Sequence, residues 1–219
     1  MQMTRRTAAE DVRARLTAAC TVAIQLCGRP GVGKTTVVDR LATSLTHLDA
    51  VGMVTPALAR TDPASVTPEE ARIWKVGGVD HLAAEDLLAL LDHLPLHRLD
   101  YLFVEENCDP VSRPPSDLGC HARAVVLSAS GGAAQVEAAA EAIRCSHFVL
   151  FTQGDRADTD ASETREVCRR VRAVADVPIF VLSHKQHSEW MEWIAFLHDF
   201  RRRHLHRHDA GSDTAIFFG

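Results

Sequence analysis

The sequence has few of the features that mark membrane, secreted or nucleic-acid-binding proteins. No apolar run approaches the roughly 20 residues that a helix needs to span a bilayer, and residues 1–11 contain no apolar core of a signal peptide. The six cysteines are dispersed without a CxxC pair, which disfavours a disulfide framework. The net charge of −5 indicates no general polyanion-binding surface. We therefore expect a cytoplasmic protein that binds neither membranes nor nucleic acids.

What the sequence does contain is a regular alternation of short apolar runs and segments with helical periodicity. The 219 residues, 46% of them hydrophobic, suffice for one α/β domain with a packed core. The alternation predicts a mostly parallel sheet with helices on both faces. The predicted strands are 21–27, 50–54, 100–105, 122–129, 148–152 and 178–182. The predicted helices are 7–18, 35–45, 83–94, 133–143, 163–174 and a last one that carries Trp190 to Leu197.

The periodicity also divides the chain into three parts. We predict that residues 1–20 form an N-terminal helical extension and that residues 21–200 form the single α/β domain. Residues 201–219 are rich in His and Arg, and we predict a disordered tail there.

The strongest motif is the segment 28–35, which reads GRPGVGKT. It follows a predicted strand and opens a predicted helix, as a phosphate-binding P-loop does. The backbone N–H groups of such a loop surround phosphate oxygens, and the helix N-terminus adds positive potential. We expect Lys34 to contact the β- and γ-phosphates and Thr35 to bind Mg²⁺. The predicted nucleotide-binding residues of this loop are Gly28, Gly31, Val32, Gly33, Lys34, Thr35 and Thr36.

Further segments follow the P-loop in a set order. Residues 76–84 read VGGVDHLAA, residues 102–105 read LFVE, and residues 117–119 read DLG. The short strand 126–128, the segment 148–155 and the tryptophan-containing segment 179–193 come after them. In order and spacing, residues 21–197 resemble the HypB family of hydrogenase nickel-incorporation GTPases, which are relatives of the urease accessory GTPase.

The resemblance implies a single P-loop NTPase domain that hydrolyses GTP with Mg²⁺ and forms a nucleotide-dependent homodimer. It implies nickel delivery to a hydrogenase precursor, with a nickel chaperone as a further partner. Lys34 and Glu105 would be the catalytic residues, with Glu105 also beside Mg²⁺. Asp155 would bind the guanine base, because it keeps the carboxylate of the family's N-K-x-D motif.

Several family positions carry other residues in this chain. Gln153 replaces the lysine of N-K-x-D, Cys108 replaces the switch glycine, and Met53 replaces an aspartate that organises Mg²⁺. Phosphoryl transfer depends on the placement of Mg²⁺ and water, whereas binding rests mainly on the loop. We therefore expect hydrolysis to be weaker than in the family.

The nickel ligands of the family are also changed. Asp80 and Ser112 stand at its two cysteine positions, and only His81 is kept. Thiolates and imidazoles suit Ni²⁺ and Zn²⁺, so we predict a displaced site. Its candidate ligands are His81, Cys108, Cys120 and His121. We expect Cys120 and His121 to lie at the same end of the sheet as Glu105. The alternative is that both cysteines are ordinary buried thiols.

Three hypotheses for function follow. The first is a GTP-binding, weakly hydrolysing, nickel metallochaperone-like protein for the maturation of a nickel enzyme such as [NiFe] hydrogenase. The second is a nucleotide-binding regulator or assembly scaffold that does not deliver nickel. A small-molecule kinase is disfavoured, because the arginine cluster 169–172 lies in a predicted helix and not in a lid.

Overall fold

The computed structural model describes residues 6–45, 50–57, 73–77, 79, 81–110, 115–152, 161–183 and 187–209. Within these residues the strands are β1 (Val22–Gly28), β2 (Val51–Ala57), β3 (Ile73–Gly77), β4 (Tyr101–Asn107), β5 (Ala122–Ser128), β6 (Phe148–Thr152) and β7 (Ile179–Val181). The helices are α1 (Ala8–Ala18), α2 (Lys34–Ser44), α3 (Ala84–Leu91), α4 (Gly132–Ala138), α5 (Ala140–Arg144), α6 (Ala161–Val174) and α7 (His187–Asp209). No helix in the described part of the chain is both long enough and apolar enough to cross a membrane.

The strands form one sheet in the order β3-β2-β4-β1-β5-β6-β7. Every strand pair is parallel, which confirms the predicted fold class. Strand β1 lies between β4 and β5 at the centre of the sheet. Ligands of open parallel sheets bind beyond the carboxyl ends of such central strands, and the predicted P-loop begins there.

Helices cover both faces of the sheet, as predicted. On one face, Val22, Ile24 and Leu26 of β1 pack into a core with the apolar residues of α2 and α7. On the other face, Ala23 of β1 packs with α1 and α3, and the apolar residues of β5 and β6 pack with α4, α5 and α6. Alternate residues of each strand face opposite sides, so almost every position of the central strands is buried.

The structure differs from the sequence prediction in three elements. Strand β3 was not predicted, because IWKVG is a short run that ends in glycine at the edge of the sheet. The predicted helix 133–143 is divided at Ala139 into α4 and α5. Helix α7 continues to Asp209, so the expected disorder after Arg203 is wrong for residues 204–209, while residues 210–219 lie outside the described part.

Helix α1 is the helix that we predicted for the N-terminal extension. Thr7 caps it, since the Thr7 side chain accepts from the Glu10 N–H and the Glu10 carboxylate accepts from the Thr7 N–H. Val12 and Leu16 are fully buried against α3 and β1. The helix therefore belongs to the core of the domain and is not an appendage.

Candidate phosphate and metal sites

The loop between β1 and α2 has the backbone that its glycines predict. Gly31 has φ = 77° and Gly33 has φ = 102°, and both values lie in the left-handed region that glycine adopts without strain. The carbonyl of Val32 accepts a hydrogen bond from the Thr152 hydroxyl at the end of β6. The loop is thus fixed between α2 and a neighbouring strand, with the first turn of α2 following it directly.

Lys34 lies folded into this loop. Its ammonium donates to the carbonyls of Gly28 at 2.7 Å and Arg29 at 3.0 Å, and it lies 3.4 Å from a carboxylate oxygen of Glu105. The side chain is 2% exposed. Burial lowers the pKa of Lys34, and the charge of Glu105 opposes that change. The lysine is therefore held as part of a polar network at the position where the P-loop motif predicts a phosphate contact.

Glu105, at the carboxyl end of β4, connects this network to two hydroxyl groups. The Thr35 hydroxyl donates to its Oε2 at 3.3 Å and the Thr55 hydroxyl donates to the same oxygen at 2.9 Å. Lys34, Thr35 and Glu105 were predicted from the sequence, and the structure brings all three together. Thr55 was not predicted, and only the pairing of β2 with β4 places it there.

Met53 does not occupy the expected position beside the phosphate site. It is fully buried in the core between the sheet and α2 and α7, and it pairs with Phe103 in β4. Thr55 lies two residues further along β2 on the same face, so it reaches the level of Glu105. The residue of β2 that contacts Glu105 is therefore Thr55.

A cavity of about 240 Å³ lies beside the loop. Its lining combines the loop and the start of α2 with the ends of β6 and β7 and one residue of α7: Gly31, Gly33, Thr36, Val37, Thr152, Leu182 and Trp190. The predicted base-binding segment follows β6, but Asp155 lies outside the described residues. The cavity therefore adjoins the loop on the side of β6 and β7.

Behind the loop, on the other face of the sheet, two cysteines and a carboxylate lie together. One ligand atom from each of Cys27, Glu106 and Cys108 falls within 4.8 Å of the others, and all three residues are buried. A hydrogen bond from Cys27 lowers the pKa of Cys108, whereas burial raises the pKa of Cys27. Cys108 was a predicted metal ligand, but Cys27 and Glu106 were not.

Cys120 and His121 lie at the opposite end of the sheet, so the prediction that they share an end with Glu105 is wrong. They precede β5, and the His121 N–H donates to the carbonyl of Ala23 near the start of β1. Cys108 follows the residue that pairs with Gly28 at the end of β1. Ala23 and Gly28 are five residues apart along β1. About 16 Å of strand therefore separates Cys120 and His121 from Cys108.

The surroundings of Cys120 and His121 also explain their presence without a metal. Burial raises the pKa of Cys120 to about 12, which disfavours the thiolate that binds metals. The Nδ1 atom of His121 accepts from the Ala23 N–H, and its Nε2 atom lies 3.0 Å from the Thr17 hydroxyl. Both residues therefore join α1 and β1 to β5.

His81 is exposed and precedes α3. It lines an open groove with Thr7, Glu85 and Asp117. In the described part of the chain, no set of three neighbouring His, Cys, Asp or Glu ligands includes His81, Cys120 or His121. Asp80 and Ser112, at the family's cysteine positions, lie outside the described residues. The four predicted ligands are thus not brought together in one protomer.

Known proteins resemble this chain in sequence and in fold. No family model matches the chain. The chain is 24% identical over 167 residues to the probable hydrogenase maturation factor HypB of Methanocaldococcus jannaschii, and the match covers 74% of this chain and 76% of that protein.

Two solved structures share the fold. HypB from Archaeoglobus fulgidus has a TM-score of 0.68 at 22% identity, with 87% of this chain and 95% of that chain covered. HypB from Helicobacter pylori in complex with nickel has a TM-score of 0.67 at 20% identity, with 96% and 98% covered. These structures show the shared fold, and in sequence and motif order the chain is similar to HypB proteins.

Proposed function

We propose that this protein is a GTP-binding, weakly hydrolysing metallochaperone that handles nickel in the maturation of a nickel enzyme such as a [NiFe] hydrogenase. The observation that carries the proposal is the joined arrangement of Lys34, Thr35 and Glu105 at the carboxyl edge of a parallel sheet. A probable hydrogenase maturation factor is similar to the chain in sequence, and a nickel-bound HypB is similar to it in fold. The proposed function rests on the geometry of the site and on the similarity to these proteins.

Nucleotide binding is the first step of the proposal. The β- and γ-phosphates would replace the carbonyls of Gly28 and Arg29 as partners of the Lys34 ammonium, and backbone N–H groups of the loop would bind the remaining oxygens. The nucleoside would enter the cavity beside Thr36 and Trp190. Asp155, which follows β6, would accept hydrogen bonds from the guanine edge.

The donor set beside the loop fits Mg²⁺. Hydroxyl and carboxylate oxygens of Thr35, Glu105 and Thr55 converge on one position, and Mg²⁺ prefers such oxygen ligands. Bound there, the ion would neutralise charge on the phosphate oxygens. Glu105 would hold Thr35 and Thr55 in place, and Lys34 would bind the transferred phosphoryl group.

We expect weak hydrolysis because two residues of this chain differ from those that the HypB family uses beside Mg²⁺ and in the switch segment. The β2 residue near Glu105 is Thr55, whose neutral hydroxyl organises Mg²⁺ less strongly than a carboxylate. Cys108 stands at the family's switch glycine, and its side chain is buried beside Cys27. A buried side chain at this position restricts the backbone motion by which a switch segment closes on the γ-phosphate.

The alternative function is a nucleotide-binding regulator or assembly scaffold without nickel delivery. The observation that favours it is that His81, Cys120 and His121 are not brought together with Cys108. In that case nucleotide binding would control association with a partner protein, and Ni²⁺ would not be transferred.

Calorimetric titration of the full chain with GTP, with ATP and with Ni²⁺ tests the proposal. We expect tighter binding of GTP than of ATP in the presence of Mg²⁺, and loss of that preference in Asp155→Ala, because a site built to pair with a polar edge rejects a base that leaves its groups unpaired. Lys34→Ala should abolish nucleotide binding, with an unchanged circular dichroism spectrum as the control for folding.

The outcomes separate the hypotheses. Equal affinity for GTP and ATP in the wild-type protein would contradict guanine recognition by Asp155. Unchanged GTP affinity in Lys34→Ala would contradict the P-loop assignment. GTP binding without Ni²⁺ binding, or without nickel transfer to a hydrogenase precursor, would favour the scaffold.

A further inference from the structure

The pairing of β1 with β4 brings Cys27 and Glu106 together. They are direct partners in the parallel register, one residue before Gly28 pairs with Asn107. Their side chains point to the face opposite Leu26 and Glu105, because successive strand residues alternate. Cys108 follows β4 and joins them from its end. The chain thus places a three-residue cluster directly behind the phosphate loop.

The separations within this cluster suit a common ligand. The Cys27 Sγ atom lies 3.3 Å from Glu106 Oε2, and all three ligand atoms lie within 4.8 Å of one another. Sulfur and oxygen ligands of one tetrahedral Zn²⁺ are roughly 3.6 Å apart, given bond lengths of about 2.3 and 2.1 Å. Small side-chain rotations therefore suffice to surround one ion.

The burial of the cluster supports the same conclusion. Cys27 and Glu106 are 0% exposed and Cys108 is 3% exposed. The Glu106 carboxylate accepts from the amide of Gln25, the thiol of Cys27 and the N–H of Ser116. A buried carboxylate is costly unless it is paired or coordinates a metal. A divalent ion in place of the two thiol protons would leave the net charge of the cluster unchanged and would give the buried carboxylate a coordinated cation.

We propose that Cys27, Glu106 and Cys108 form a binding site for a thiolate-preferring divalent cation such as Zn²⁺, behind the phosphate-binding loop. Two thiolates with one carboxylate are a soft donor set that selects zinc-like ions over Mg²⁺ or Ca²⁺, and three protein ligands leave a fourth position for water or an exchangeable ligand. The bound ion would tie the end of β1 to the segment after β4. This site does not rest on the proposed function: of its three residues only Cys108 has a part there, at the switch position, and the argument for the site uses only the distances and burial of the three side chains.

Titration of the full reduced chain with Co²⁺, followed by displacement with Zn²⁺, tests this site. Cobalt bound by thiolates absorbs strongly in the near ultraviolet, whereas cobalt bound by histidine alone does not, so the histidines of α7 do not interfere. We expect one equivalent of tetrahedral Co²⁺ with this absorption. Cys27→Ser and Cys108→Ser should each reduce the absorption and weaken binding by more than about 100-fold, above the loss typical of outer-shell residues.

Three further variants make the test specific. Cys120→Ser is the matched control, because it changes another buried cysteine at the opposite end of the sheet, and it should leave the titration unchanged. Glu106→Gln keeps an acceptor for Gln25 but lacks the negative charge. It should therefore weaken Co²⁺ binding, while the absorption of the two thiolates bound to cobalt remains. Cys20→Ser with Cys145→Ser removes the exposed thiols and should have no effect.

A loss of folding in one cysteine variant would not obscure the result, because the wild-type spectrum is read independently. Absence of thiolate-to-cobalt absorption in the reduced wild-type protein would overturn the proposal. So would an absorption that persists at full strength in folded Cys27→Ser and Cys108→Ser. Loss of the absorption in Cys120→Ser would place the ion elsewhere and would equally overturn it. GTP binding, measured on the same samples, tests the proposed function separately.

Discussion

Among single residues, Glu105 organises the phosphate side of the site. It lies 3.4 Å from the Lys34 ammonium and accepts hydrogen bonds from Thr35 and Thr55. Without this carboxylate, the partners of the buried Lys34 among the described residues would be the carbonyls of Gly28 and Arg29, and an uncompensated buried charge is strongly destabilising. Glu105 therefore stabilises the loop, and in the proposed function it would also supply an oxygen to Mg²⁺.

Thr55→Val should lower the rate of GTP hydrolysis. Valine has nearly the shape of threonine but no hydroxyl to donate to Glu105 at 2.9 Å, so Glu105 would be less well oriented for Mg²⁺. We expect a decrease of about 10-fold in kcat, about 1.4 kcal/mol in activation free energy, with GTP affinity changed much less.

Phosphate release under single-turnover conditions, at several Mg²⁺ concentrations, measures this effect. Thr43→Val is the matched control, since Thr43 is an exposed residue of α2 whose hydroxyl donates to the Asp39 carbonyl. A kcat for Thr55→Val equal to that of the control would show that the hydroxyl has no part in hydrolysis.

Met53→Asp should destabilise the fold and should not restore faster turnover. The side chain is 0% exposed in the core with α2 and α7, where an unpaired carboxylate costs several kcal/mol. We expect a loss of at least about 3 kcal/mol in the free energy of unfolding, measured with urea. Met53→Leu should lose less than about 1.5 kcal/mol. Faster hydrolysis in a stable Met53→Asp protein would contradict this placement.

Among the elements, α1 differs most from its predicted role. The sequence predicts an N-terminal extension, whereas α1 is part of the core of the domain. It begins at a capping box and packs against α3 through Val12 and Leu16. Its exposed side is held by ion pairs of Arg13 with Asp117 and of Arg15 with Asp92. Such exposed pairs contribute little, so the apolar contacts dominate the attachment of this helix.

Leu16→Ala should therefore destabilise the whole domain by about 2–5 kcal/mol. The residue is fully buried between the sheet and α3, and the removed atoms would leave a cavity. Chemical denaturation followed by circular dichroism gives the value. Arg15→Ala, on the exposed side of the same helix, should lose less than about 1 kcal/mol. Similar losses in the two variants would mean that α1 is only loosely attached.

For the molecule as a whole, the cavity joins parts of the chain that are far apart in sequence. The P-loop, the ends of β6 and β7 and Trp190 of α7 line it. Trp190 donates to the Ser183 carbonyl at 2.8 Å and has the Arg40 guanidinium over its ring at 4.3 Å. A nucleotide in this cavity would change the surroundings of the indole.

We expect a change in tryptophan fluorescence when GTP binds, and its loss in Trp190→Phe. Trp193 is the matched control: it contacts Trp190 edge-on but lies fully buried in the core and does not line the cavity. Trp193→Phe should therefore keep the change. If calorimetry showed GTP binding while the signal persisted in Trp190→Phe, the nucleoside would lie outside this cavity.

The features that depend on neighbouring residues followed from the amino-acid pattern alone. The glycines and lysine of segment 28–35 specify a phosphate-binding loop, because the φ values of Gly31 and Gly33 and the start of α2 are local properties. The alternation of strands and helices determined the parallel sheet, since consecutive parallel strands require crossover connections. Met53 shows the limit: the family's motif order assigned it to Mg²⁺, but the motif contains no information on the packing of its side chain.

Which distant residues meet depends on strand register, which the sequence pattern does not specify. The register of β2 with β4 places Thr55 at Glu105, and the register of β1 with β4 joins Cys27 to Glu106. In a parallel sheet, the residues that follow the strands meet at one end and the residues that precede them meet at the other. In this sheet the two ends are about 16 Å apart. Cys108 follows β4 whereas Cys120 and His121 precede β5, so short sequence separation did not bring these cysteines together.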